Sequence, residues 1–304
     1  MRIRNIATAT LVGGLALSLA ACGKPGAPGQ GGEGGKSTIE PPPQMQVAKD
    51  VNITGSPTFD RIKQNGKITI GVKDDQPGLG YKDSVSQKFT GFDIDIANYL
   101  AAQLGYGPDK IVYKQVQSAG REAAISNGDV DFYVGTYTIN DKRKQQVSFA
   151  GPYFVAGQDL LVRKDDNSIK GPESLKDKTV CSAKGSTPIQ NVKEKNLAKE
   201  VREQDKYSDC VKMLQNKQVD AVTTDDAILK GYAAQQSNLF KVVGKTFTKE
   251  PYGVGLNKDD KVLRGKLDDY LQKALDDGDW QKFYDGTLGK SGSPAPQKPT
   301  IERY

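Results

Sequence analysis

Apolar positions along the chain recur with two periods, and the switch between them lays out the elements. Lys67-Ile68-Thr69-Ile70-Gly71-Val72 alternates as a strand, after a short predicted helix at Phe59–Asn65 that Gly66 ends. Ala97, Leu100, Ala101 and Leu104 fall at i, i+3, i+4 and i+7, the stripe of an amphipathic helix, with Asp93 as its expected cap and Gly105 as its stop. A second helix is expected from Ser118 to Asn127, then a strand at Phe132–Val134 broken by Gly135. Further strands are predicted at Leu160–Val162, Thr179–Cys181, Val242–Val243 and Glu250–Leu256. Helices are predicted after Ser186 with Pro188 in first position, from Ser208, over Val262–Leu275 and over Gly278–Tyr284. Asn216–Asp225 echoes Asn127–Tyr137: each runs from a helix through Val-Asp into an apolar strand and a Thr-bearing loop. That faint repeat implies two lobes on one βαβ plan with facing loops.

Both ends depart from this pattern. Arg2 and Arg4 precede an apolar run, Ile6 to Ala21, short for a membrane span and laid out as a secretory signal peptide over 1–21. Leu19-Ala20-Ala21-Cys22 resembles a bacterial lipobox, with Cys22 the lipidated residue, which implies anchoring at the outer face of the cell membrane. Residues 22–54 are rich in Gly, Pro and polar side chains and read as a flexible stalk; 290–304 share that composition and read as a flexible tail.

The formal charge of +6 is spread among alternating acids and bases, so no nucleic-acid footprint is expected. The chain has no His and three Cys, which excludes a His-based nucleophilic pair and argues against any metal site. With Cys22 given to lipid, Cys181 and Cys210 either pair as a disulfide, as an oxidising compartment favours, or stay as buried thiols. A bond closing a loop of about 30 residues would contribute roughly 3–4 kcal/mol.

Candidate chemistry gathers at strand ends and helix starts. Asp131–Arg143 runs from a strand through Thr136, Tyr137 and Thr138 into a helix whose first turn carries Lys142, Arg143 and Lys144. Cations there oppose the helix dipole and make sense beside an anion held by backbone N–H groups, hydroxyls and guanidinium. Ala183-Lys184-Gly185-Ser186-Thr187 forms a second anion-friendly turn. Lys73 and Asp74 open the loop after the first strand, and Asp225 ends a later one, where its carboxylate either faces a ligand ammonium or caps a helix, with Asp226 as competitor.

Gly91–Leu104, Gly-Phe-Asp-Ile-Asp-Ile-Ala-Asn-Tyr-Leu-Ala-Ala-Gln-Leu, resembles the signature of the family 3 extracellular solute-binding proteins, the amino-acid receptors of bacterial ABC importers. The resemblance runs from about Phe59 to Gly289. It implies an α/β, two-lobed type II periplasmic-binding fold, with lobe 1 from 55–154 and 253–289, lobe 2 from 155–252, and two crossover strands. It implies no cofactor and a monomer working with a membrane permease. By resemblance, Arg143, Thr138, Ser186 and Thr187 meet the ligand α-carboxylate. Asp225 and Thr136 meet the ammonium, and Lys73, Arg121, Thr136 and Lys184 meet a side-chain carboxylate. That set is similar to the glutamate/aspartate branch, with glutamate first; Asp74, suited to accept from an amide, points to glutamine. Some relatives are dehydratases, for which only Asp74, Asp75 and Asp225 offer an acid.

Overall fold

The computed structural model describes residues 45–291 and 295–304. The signal peptide, Cys22 and most of the stalk lie outside the described residues. No described helix is long and apolar enough to cross a membrane.

Helix α1 (Pro57–Asn65) starts on Ser56, whose hydroxyl accepts from Phe59 N–H, and ends at left-handed Gly66. Then come strands β1 (Ile68–Val72), β2 (Tyr81–Lys82) and β3 (Phe89–Thr90), helix α2 (Phe92–Gln103), β4 (Ile111–Gln115), α3 (Arg121–Ser126), β5 (Phe132–Tyr133) and α4 (Asp141–Lys144). The long strand β6 (Val147–Ala156) leads through Gly157 into β7 (Gln158–Arg163). There follow β8 (Thr179–Ala183), α5 (Thr187–Glu194), β9 (Glu200–Gln204), α6 (Tyr207–Gln215), β10 (Ala221–Asp225), α7 (Asp226–Gln235) and β11 (Phe240–Val242). The chain returns on β12 (Glu250–Asn257) and closes with α8 (Lys261–Asp276) and α9 (Asp279–Gly286).

Two five-stranded sheets result, ordered β4-β1-β5-β12-β6 and β11-β7-β10-β8-β9. Parallel β1, β4 and β5 put the loops after β1 and β5 at one edge, where open α/β sheets gather ligand groups. Antiparallel β6 and β12 pair from Val147–Asn257 up to Ala156–Glu250, so both crossovers leave one sheet side by side. Cys181 on β8 and Cys210 on α6 form the disulfide, well away from the crossovers in sequence.

Several local expectations change. Gly91, not Asp93, occupies the N-cap of α2; Asp93 is fully buried and accepts from Thr136 N–H and the Tyr153 hydroxyl. Ser118 opens a 3-10 turn and accepts from Lys73 rather than capping a long helix. Pro188 is second, not first, in α5, and α6 begins at Tyr207, one residue before Ser208. Part of the expected stalk is seated against α2: Ala48 N–H donates to Ala102 O, and Val51 packs on the core. The expected loose tail is tied down too. Ile301 packs on the core, Glu302 N–H donates to Gly151 O, and Arg303 pairs with Asp269 at 2.8 Å. Composition missed this because a few anchored groups suffice where the surrounding residues are polar.

Candidate functional site

The loops after β1 and β5 and the turn before α3 place three cations in one buried wall. Lys73, Arg121 and Arg143 are 2%, 2% and 5% exposed. Burying charge costs several kcal/mol unless partners are supplied, yet among the described residues only one carboxylate lies within ion-pair distance, Glu122 at 3.3 Å from Arg143 Nε. The remaining donors are aimed by neutral acceptors. Lys73 Nζ donates to the Ser118 hydroxyl at 2.8 Å. Arg121 donates to the carbonyls of Ser118, Thr136 and Gly185, and Arg143 to those of Thr138 and Gly185. Both guanidiniums also stack on the Tyr137 ring, at 4.2 and 4.9 Å.

The second lobe reaches this wall through the turn before α5. Gly185 has φ +77°, and a Cβ there would stand 2.6 Å from Ala119 Cα, so glycine is what lets the two lobes touch. Ser186 caps α5 with its hydroxyl oxygen, which accepts from Ile189 N–H, and gives its own N–H to Ala183 O, so that backbone donor is already committed. Thr187 and Thr138, from opposite lobes, both donate to Glu250 Oε2, at 2.7 and 2.8 Å. Asp225 stands at the N-cap position of α7 but makes no capping bond; Oδ2 accepts from the Tyr252 hydroxyl and buried Oδ1 has no hydrogen-bond partner. Asp226 pairs instead with Lys230 and Gly157 N–H.

Burial sets the electrostatics. It brings Lys73 down to about 7, helped by the nearby Arg121 charge. It lowers Arg143 to about 10, again with Arg121 contributing. Asp225 is pushed up to about 8 by burial first and by Glu250 second. The site therefore sets buried cations on one side and one under-ionised acid, Asp225, on the other, a pattern fitted to a ligand carrying both charges.

Some expected members fall elsewhere. Lys184 is exposed. Asp74 pairs with Lys206 of the other lobe at 2.7 Å, while its charge still supports that of Lys73. Thr136 contributes chiefly its carbonyl; its N–H goes to Asp93 and its hydroxyl to Gln76. The short α4 offers no free N-terminal cradle, since Arg143 N–H donates to Asn140 Oδ1. Glu250, Gln76, Glu122 and the Tyr137 ring join the site without a mark in the sequence. Tyr137 lies in the Thr-bearing stretch, where the sequence shows its hydroxyl and not the use of its ring, and Glu250 carries no pattern beyond opening a strand. Among the described residues no acid, His or Cys cluster could hold a metal ion.

Residues 68–290 match the family described as bacterial extracellular solute-binding proteins, family 3. The chain is 40% identical over 237 residues to the glutamate-binding protein GluB of Corynebacterium efficiens, covering 75% of this chain and 80% of that protein. It is also 40% identical over 228 residues to the ABC transporter glutamine-binding protein GlnH of Bacillus subtilis, covering 75% and 83%. Among solved structures, an ancestral arginine-binding protein bound to arginine superposes with a TM-score of 0.69 at 36% identity, over 74% of this chain and 99% of that one. An ancestral amino-acid-binding protein, a precursor of cyclohexadienyl dehydratase, gives 0.69 at 30% identity, over 76% and 99%.

Proposed function

The chain belongs to family 3 of the bacterial extracellular solute-binding proteins, and we propose that its solute is an acidic amino acid, glutamate first, enclosed between the lobes and delivered to an ABC-transporter permease. The reading rests on one observation above all: three buried cations in a single wall, with one carboxylate in ion-pair distance of them among the described residues. Two carboxylates on one ligand would balance that wall, each charge-assisted bond contributing about 1.5–3 kcal/mol. Arg143, beside Thr138 and Thr187, takes the α-carboxylate. Asp225, through its unpartnered Oδ1, takes the α-ammonium. Lys73 and Arg121 take the distal carboxylate, with Thr136 holding Arg121 in place. The protein acts as a monomer, binding and closing with no bond chemistry. Two of the three candidate acids for a dehydratase, Asp74 and Asp75, are tied to the other lobe.

Glutamine is the second reading, because GlnH of Bacillus subtilis is as similar to this chain as GluB. Calorimetry with both amino acids separates them. Arg143→Ala should weaken both alike, while Arg121→Ala should hurt glutamate by roughly 30-fold or more and glutamine little. A wild type that prefers glutamine, or equal losses in Arg121→Ala, overturns the acidic assignment.

We further propose tethering through Cys22, on the lipobox resemblance. Cys22→Ala should abolish metabolic labelling with palmitate and leave ligand affinity as it was; labelling that persists refutes the anchor.

A further inference from the structure

Residues 298–304 lie against helix α8 and, at Glu302 and Tyr304, against the outer strand β6 of the first sheet. Lys298 Nζ donates to Leu275 O, Glu302 N–H to Gly151 O, and Arg303 pairs with Asp269. These contacts account for the seating of the segment. They do not account for Tyr304, whose contacts lead inward.

Its phenol oxygen accepts from Phe149 N–H at 2.8 Å. The Phe149 ring meets the Tyr137 ring edge-on at 4.8 Å. Tyr137 is the platform under Arg121 and Arg143. A second route is shorter. The Tyr304 ring lies between Lys144 and Arg264, 4.4 Å and 4.1 Å from its centroid. Lys144 follows Arg143 directly in α4, a helix of four residues. So short a helix has few hydrogen bonds of its own and takes its position from its neighbours. Arg264 in turn donates to the Ser148 hydroxyl, beside Phe149.

We propose that Tyr304 is a positioning residue for the two ligand-facing arginines, acting on Arg143 through Lys144 and on both through Phe149 and Tyr137. The inference rests on the assignment of Arg121 and Arg143 to the ligand, and reaches beyond it to a residue that touches no ligand. Tyr304 is half exposed, so its influence is moderate.

The test uses the whole chain with Tyr304→Ala, Tyr304→Phe and, as control in the same segment, Arg303→Ala. Two readouts are taken: the Nε–H NMR signals of Arg121 and Arg143 without ligand, and calorimetry with L-glutamate. Tyr304→Ala should move or broaden both arginine signals and raise Kd about three- to tenfold, the range one exposed cation–π contact and one hydrogen bond can exert. Tyr304→Phe, which keeps the ring, should fall between, and Arg303→Ala should change neither readout even if it lowers Tm. Arginine signals that stay in place in Tyr304→Ala, or move equally in Arg303→Ala, overturn the proposal, as does an unchanged Kd beside a lowered Tm. If wild type binds no glutamate, the acidic-ligand reading falls while the arginine signals still decide this one.

Discussion

Lys73 and Asp74 are neighbours in one loop and their charges attract, yet their side chains bond to different partners, Ser118 for the one and Lys206 of the other lobe for the other. Lys73 points into the buried wall with Arg121 and Arg143, held by a hydroxyl and shielded from solvent. Asp74 points across the cleft mouth to Lys206, where the ammonium side chain is 34% exposed. Beside it Asp75 accepts from Ser208 N–H at the start of α6, and the Tyr232 hydroxyl reaches Asp75 O. Gly231 comes so close that a Cβ there would meet Pro77 O at 2.1 Å. On the proposed reading, the wall would choose a ligand with charges that water cannot screen. The mouth holds the lobes together with charges that water can. Salt and pH should therefore tell the two apart.

Arg143→Ala should give the largest effect, about 2–5 kcal/mol of binding free energy, because truncation leaves a desolvated ligand carboxylate without its partner. That loss should persist when salt is raised, since a buried pair is little screened. Calorimetry at low and high ionic strength measures it. A deficit that vanishes in high salt would place Arg143 with the screened charges of the mouth.

Next in size is pH. Lys73 stands near 7 before a ligand binds, and a carboxylate beside it would raise that value. Binding above about pH 7 then takes up a proton, so this group makes affinity fall as pH rises. Asp225 stands near 8 and must lose its proton to meet an ammonium, so this group makes affinity rise as pH approaches 8. The two slopes oppose each other in wild type. Lys73→Met should expose the rising limb, approaching tenfold per pH unit at most, and Asp225→Asn the falling one. Affinities that stay flat with pH in both variants would remove both groups from the ligand.

How far the sequence showed this division depends on where the signal lies. Local hydrogen bonding is legible, so Gly66 ends α1 as expected, although the helix starts two residues earlier on Ser56, and the apolar runs at β1, β7 and β10 are found. Cations out of place at strand ends were also legible: Lys73, Arg121 and Arg143 do meet in one wall. Long-range contacts were not. Nothing near Asp74 announces Lys206, 132 positions away. Glu250 gains its place only because Thr138 and Thr187 reach it from opposite lobes. Asp93 looked like a cap because short acids usually are, whereas burial and two donors, Thr136 and Tyr153, claim it here. The segment 298–304 hid its anchors in a composition that elsewhere means disorder.

The smallest effect should come from Lys206→Met. The substitution keeps the stem that packs at the cleft mouth and removes only the charge facing Asp74. An ion pair with one partner a third exposed contributes at most about 1 kcal/mol, or about fivefold in Kd. It acts on the closed arrangement alone, so the loss should fall on every ligand equally and appear as faster release rather than slower capture. It should also shrink as salt rises, unlike the Arg143 deficit. Stopped-flow release rates for glutamate and glutamine, at low and high salt, carry the test. Equal acceleration for both ligands keeps recognition and closure separate. If Lys206→Met instead alters the preference between them, the loop from Lys73 to Pro77 transmits the state of the mouth to the wall, and the two systems are one.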